Sequence, residues 1–180
     1  MTINGYVGGV NGENDWMTWN PDDEFLAFLH SLVASSDTLI LGRKLAISGF
    51  IEHWENTAKA NPDHPFAKEI ADIQKIVFTK TLKKSIWNNT TLAKGNLSEE
   101  IANLKMQNGK DILVYGGAEF VSSLIKEGLI DEYHLIINPT AMGNGLTIFN
   151  SLDKIQKFTP IQSKLYSGGK TVLSYKLKTD

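Results

Sequence analysis

The sequence predicts an α/β fold, and three observations predict it. Short β-rich apolar runs, among them residues 38–41 (TLIL), 75–79 (KIVFT) and 111–115 (DILVY), alternate with segments of helical periodicity. Two of these runs end in glycine where a helical segment opens, at Gly42 and at Gly116 and Gly117. No repeat, low-complexity tract or linker divides the 180 residues, so a single domain over 1–180 is expected. Buried β runs separated by helices imply βαβ units and a mostly parallel central sheet covered on both faces.

The first element is a helix in "NPDDEFLAFLHSLVASSD". Asn20 reads as its N-cap and Pro21 as its first turn, with Asp22, Asp23 and Glu24 against the positive end of the dipole. Phe25, Phe28, Leu29, Leu32 and Val33 recur at i, i+3, i+4, i+7 and i+8, one apolar stripe. The strand "TLIL" follows, then a helix from Arg43. Residues 52–72, which contain Pro62 and Pro65, read as a loop leading into a short helix. The strand "KIVFT", the helical "LSEEIANLKMQ", the strand "DILVY", the helical "AEFVSSLIKEG" and the strand "EYHLIIN" complete the alternation. The tail "IQSKLYSGGKTVLSYKL" reads as an antiparallel hairpin turning at Ser167, Gly168 and Gly169.

Composition narrows the function classes. A hydrophobic content of 42% beside 21% charged residues is that of a folded globular chain. The net charge of −2 and the dispersed lysines offer no basic stripe for nucleic acid. No leader-like N-terminus and no apolar run near 18 residues occur, so a cytoplasmic protein without a membrane partner is expected. With no cysteine there is no disulfide, thiol nucleophile or thiolate metal site. His30, His53, His64 and His134 lack ligand spacing, and no metal is expected.

In an open parallel sheet, ligands bind just outside the carboxyl ends of the strands. The turns there are Gly42-Arg43-Lys44, Thr79-Lys80-Thr81 and Gly116-Gly117-Ala118. The first and third place backbone N–H groups at a helix start, and the second adds hydroxyls and an ammonium. Arg43, the only arginine in the chain, supplies the planar fork that suits a phosphomonoester. Each feature also has a plain structural use: Gly-Gly for tight packing, Arg43 as a surface cation, the threonines at a strand end. Their convergence on one edge favours a nucleotide-phosphate surface. A P-loop pattern is absent.

The segments "TINGYVGG", "LILGRK", "PFAKEIADIQKIVFTKTL" and "DILVYGGAEFVSSLIKEGLIDEYHLIINPTAMGNGLTIF", in this order, resemble the dihydrofolate reductase superfamily. The nearer resemblance is to its branch related to the C-terminal reductase domain of riboflavin biosynthesis. That resemblance implies a three-layer α/β/α arrangement, a homodimer, and NADPH as hydride donor, with NADH left open. By motif, Gly42, Arg43 and Lys44 match the turn for the adenosine phosphates, and Thr79, Lys80 and Thr81 the 2′-phosphate turn. Gly116, Gly117, Ala118 and Glu119 match the pyrophosphate turn. Where the family's second turn carries arginine, this chain has Lys80, which keeps the charge and loses the fork.

On the substrate side the resemblance places residues 4–19 at a mobile loop over the nicotinamide, with Asn4, Trp16 and Trp19 as candidate substrate contacts. Packing at the helix entrance explains both tryptophans equally well. A carboxylate on the first helix assists protonation in folate reductases. Asp22, Asp23 and Glu24 are the candidates here, and all three are also explained as helix-start acids. Two positions depart from the riboflavin-pathway enzyme: Asn4 stands where it has aspartate, and Tyr115 where an acid often precedes the Gly-Gly. Relatives begin several apolar residues earlier, so the first strand is expected to be short or the natural start to lie upstream. The expected function is an NADPH-dependent reductase of a small, heterocyclic substrate. The alternatives are the 5-amino-6-(5-phosphoribosylamino)uracil reductase of riboflavin biosynthesis and a non-catalytic nucleotide-binding module.

Overall fold

The computed structural model describes residues 1–178, the side chain of Pro65 excepted. The boundary expected at residue 180 lies outside these residues. The chain resolves into two compact units. One spans Ala27–Phe120, and the other joins Met1–Leu26 to the segment that begins at Val121.

The 27–120 unit is built on a parallel sheet of β1 (Ser36–Gly42), β2 (Gln74–Phe78), β3 (Thr90–Ala93) and β4 (Asp111–Gly116), in the order β3-β2-β1-β4. β1 lies between β2 and β4, and Leu39 and Leu41 in it are fully buried. They join Val33, Ala46, Ile51, Ile70, Val77 and Trp87 in the core of this unit. The parallel sheet was legible in the β runs; β3 was not, because four residues of "TTLA" carry no usable period.

Three helical pieces follow β1. Helix α2 (Arg43–Leu45) passes through a π-helical turn (Ala46–Phe50), kinked at Gly49 with φ 95°, into α3 (Ile51–Ala60). The loop expected from residue 52 is therefore helical to Ala60. Buried Ile51 and half-buried Trp54, three residues apart, supply the apolar face that a low overall hydrophobicity concealed. Helix α4 (Pro65–Asp72) is the expected short helix, N-capped by His64 Nδ1, which accepts from Ala67 N at 3.3 Å. Lys75, fully buried, closes the far end of α4 by donating to the carbonyls of Ala71 (2.7 Å) and Ile73 (2.9 Å). Helix α5 (Leu97–Lys105) is capped by Asn96, whose side chain accepts from Ser98 N and Glu99 N.

The other unit carries an antiparallel sheet, order β5-β7-β6, of β5 (Glu132–Ile137), β6 (Phe158–Leu165) and β7 (Thr171–Leu177). β6 and β7 form the expected hairpin, and β5 pairs antiparallel with β7. Residues 1–3 form no named strand; Asn138 N donates to the Met1 carbonyl (2.8 Å) and Ile3 N to that of Thr140 (2.9 Å). Helices α1 (Asp23–Ala34) and α6 (Ala118–Lys126) complete the element list. The N-cap of α1 is Asp22, not Asn20, because its Oδ1 accepts from Phe25 N at 2.7 Å. No helix among the described residues is long and apolar enough to cross a membrane.

Candidate functional site

The three turns singled out in the sequence belong to one sheet edge of the 27–120 unit. Register pairs Gly42 with Phe78 and Leu41 with Gly116, so β2, β1 and β4 end side by side at their carboxyl termini. Residues 42–44, 79–81 and 116–119 are what the chain places immediately beyond those ends.

Each glycine here has its own reason. A Cβ on Gly42 would stand 2.6 Å from Phe120 Cβ, so this position is empty to admit a ring that packs on Phe78, centroids 5.0 Å apart. Gly116 has φ 152° and joins Gly117 through a cis peptide; a Cβ there would meet Leu45 at 3.1 Å. On half-buried Gly117 the nearest neighbour of a Cβ would be Leu45 Cβ at 3.7 Å, an ordinary contact.

The side chains divide into free and engaged. The half-buried Arg43 guanidinium has no hydrogen-bond or ion-pair partner among the described residues. Lys44 Nζ meets Glu119 Oε1 at 2.7 Å, both two-thirds exposed, joining the first and third turns. Buried Thr79 turns its hydroxyl inward, where Oγ1 accepts from Thr81 N and Leu82 N, each at 3.1 Å. Lys80 Nζ donates to the carbonyls of Lys94 (2.9 Å) and Gly95 (2.5 Å), and Lys94 Nζ to that of Lys83 (2.8 Å). The Lys80 ammonium is therefore engaged by the loop that follows β3, and Thr79 is a turn-former before it is a ligand.

The same edge bears an aromatic group that the sequence did not assemble. Tyr115, 44% exposed, lies 4.7 Å from Phe50 between ring centroids; Phe50 touches Trp54, and Trp54 touches Phe66. Desolvation raises the Tyr115 phenol above its ordinary value even though the residue as a whole is partly exposed. These residues come from β4, the π-helical turn, α3 and α4, and no spacing rule in the sequence links them.

The remaining candidates lie in the other unit. Asn4 accepts from Thr2 Oγ1 (2.9 Å) and Met142 N (3.3 Å) and donates to the Met142 carbonyl (2.7 Å), which ties down the loop at 142. The start of the chain is pinned further by Val7 N to the Leu146 carbonyl (2.7 Å). Trp16 Nε1 donates to the Glu13 carbonyl at 3.1 Å, and Trp19 is 64% exposed.

Asp22 Oδ2 accepts from Ser167 Oγ (2.6 Å) and Gly168 N (3.1 Å). These bonds, the Ser167 hydroxyl first, hold its carboxyl down at about 2. A carboxylate so held is a clamp on the hairpin tip and a poor proton donor. Glu24 is likewise engaged, by Lys164 Nζ at 2.5 Å. Asp23 is exposed and makes no hydrogen bond or ion pair among the described residues.

Comparisons with known proteins agree on the kind of molecule. The family model described as the RibD C-terminal domain matches residues 1–172. The Bacillus subtilis (strain 168) protein YyaP is 31% identical over 179 residues, covering 97% of this chain and 90% of YyaP. YwjB from the same organism is 25% identical over 155 residues, covering 84% and 80%. Among solved structures, a Shewanella sp. PV-4 protein provisionally assigned to riboflavin biosynthesis superposes with TM-score 0.71 at 24% identity, over 99% of this chain and 96% of that one. A Thermotoga maritima deaminase and 5-amino-6-(5-phosphoribosylamino)uracil reductase superposes with TM-score 0.65 at 16% identity. That match covers 98% of this chain and 54% of the bifunctional one. At these identities the structural matches speak to the fold.

Proposed function

The chain belongs to the RibD C-terminal domain family, and from that premise we propose that it is a reductase that takes NADPH as hydride donor and acts on a small planar heterocycle. The observation that carries this reading is the edge itself: three strand-end turns side by side, with Arg43 half-buried there and unpaired among the described residues. The residues fit a dinucleotide. Gly117 directly precedes α6, and a helix start favours a pyrophosphate. Arg43 is a fork for a phosphate, and the ammonium of Lys80 gives the second turn its positive charge.

The cofactor, when bound, supplies the hydride, and the protein supplies position and field. Gly116, Gly117 and Arg43 would hold phosphate groups, and Phe50 and Tyr115 present ring faces on which a planar substrate would stack. Tyr115 takes the place of the acid often found before the Gly-Gly in the riboflavin-pathway enzyme. This supports a heterocycle recognised by stacking and one phenolic hydrogen bond. A homodimer is proposed with this reading, to be checked by light scattering.

The test is a fluorescence titration of the tryptophans with NADPH and with NADH. Binding of NADPH that weakens at least tenfold in Arg43→Ala is the expected result. Binding of neither nucleotide would overturn the reading.

One observation favours a second reading, a nucleotide-binding module without catalysis: Asp22 and Glu24 are both consumed by structural bonds. Stoichiometric NADPH binding without oxidation across pterins, pyrimidines and 5-amino-6-(5-phosphoribosylamino)uracil would select it.

A further inference from the structure

We propose that Lys170 is the anion-binding group of a covered subsite, that Trp19 is its movable cover, and that its ligand is a small molecule bearing a phosphate monoester or a carboxylate. The proposal concerns the hairpin unit alone and goes beyond the nucleotide edge.

Lys170 stands at the turn into β7 and is 2% exposed. Its Nζ is buried and has no hydrogen-bond partner among the described residues. What it faces is aromatic: the Trp19 ring at 5.8 Å and the Phe25 ring at 5.5 Å from Nζ to centroid. Ring faces attract a cation, but they do not replace the hydrogen bonds that a buried ammonium gives up on leaving water.

The carboxylates of this unit that reach the hairpin are already used. Asp22 is bonded to Phe25 N, Ser167 and Gly168. Glu24 is bonded to Lys164, two strand positions from Tyr166. Lys164 is the internal comparison: it too lies against an aromatic ring, that of Tyr166 at 4.9 Å, yet it has been given a carboxylate. Lys170 has none among the described residues.

The two rings over Lys170 differ in a way that says which one moves. Phe25 is 2% exposed and packs edge-on against Tyr166, centroids 5.2 Å apart, so it belongs to the core. Trp19 is 64% exposed, and lifting it would uncover little of its own apolar surface. Its chain is held directly afterwards: Gly168 approaches Asn20 so closely that a Cβ there would stand 2.0 Å from the Asn20 carbonyl oxygen. Residue 20 is thus held, while the Trp19 ring beside it lies largely in solvent.

The ligand class follows from the donor. An ammonium is a compact charge with three N–H groups and no fork, which suits a terminal phosphate or carboxylate and gives no preference for a flat bidentate group. Asn138 Oδ1, also buried and without a hydrogen-bond partner among the described residues, follows β5, the strand paired with β7.

The experiment uses the full chain without nucleotide. Ribose 5-phosphate, inorganic phosphate and acetate are each titrated at constant ionic strength, reading tryptophan fluorescence and Tm. A saturable fluorescence change with a rise in Tm is expected, from the phosphates if the ligand is a phosphate ester and from acetate if it is a carboxylate. Trp19→Phe should remove the fluorescence change and keep the Tm rise. Lys170→Met should weaken binding at least tenfold while its own Tm equals or exceeds that of the parent, because an unpaired buried charge has been removed. Arg43→Ala should leave this response intact and so separates it from phosphate held at the nucleotide edge. Absence of any saturable response in the unaltered protein overturns the proposal. So does a Lys170→Met protein that melts well below the parent and binds the anions as before.

Discussion

The two units differ in what they do with strand-end backbone and with carboxylates. At the carboxyl edge of the parallel sheet, the groups on offer are strand-end backbone and Arg43, unpaired among the described residues. In the hairpin unit, Asp22, Glu24 and Asn4 are each tied to a partner distant in sequence. A parallel sheet produces this difference by its connectivity, since every strand must leave its carboxyl end through a turn that hydrogen bonding within the sheet does not complete. A hairpin closed on a helix start consumes such groups instead. The edge leaves strand-end backbone and a guanidinium on offer, whereas the hairpin unit uses Asp22 and Glu24 as fasteners and leaves one buried ammonium, that of Lys170, without a hydrogen-bond partner among the described residues.

The strongest way to break this comparison is to crowd the edge. Gly42→Leu places a side chain where Phe120 packs and should cost about 3 kcal/mol, lowering Tm by roughly 6–12 °C. Adding Phe120→Ala should restore part of that loss, and calorimetry of the single and double variants checks it. Arg43→Ala should do the reverse, weakening NADPH about 10- to 100-fold, as expected for a charged hydrogen bond, with Tm unchanged. A stability loss there would make Arg43 a structural residue and erase the contrast.

In the hairpin unit, the comparison sharpens with acid. Asp22 has a depressed folded-state pKa of about 2. Its contribution is therefore complete above its unfolded value near 4 and is lost as pH falls through about 2. Asp22→Asn should melt lower than the parent at neutral pH and show a shallower decline of Tm between pH 4 and 2. Parallel profiles for the two proteins would remove Asp22 from the clamp. The smallest effect is expected for Lys44→Ala, because its pairing with Glu119 is exposed; less than about 1 kcal/mol should be lost, and added salt should shrink the difference.

Much of the fold was legible because its signals are local. The stripe from Phe25 to Val33 marked α1, and the apolar runs of β1, β2 and β4 marked the sheet together with the turns beyond it. Where the sequence misled, a distant contact had intervened. Asn20 reads as the cap of α1, yet Asp22 takes that place by accepting from Phe25 N through Oδ1, with its Oδ2 fixed by Ser167 and Gly168 from the hairpin. α3 looked like a loop because its burial depends on Ile51 and Trp54 reaching a core assembled from other elements.

By itself the sequence determined that this is an α/β protein with turns directly after β1, β2 and β4, since periodicity and glycine placement are properties of short stretches. Only the tertiary structure decided that Arg43 has no side-chain partner among the described residues, that Thr79 and Lys80 are partly occupied, that Asp22 is a clamp, and that Lys170 is buried against two rings with no hydrogen-bond partner among the described residues. The physical reason is that a side chain's identity sets which bonds it can make, while its availability depends on which neighbours the fold delivers to it.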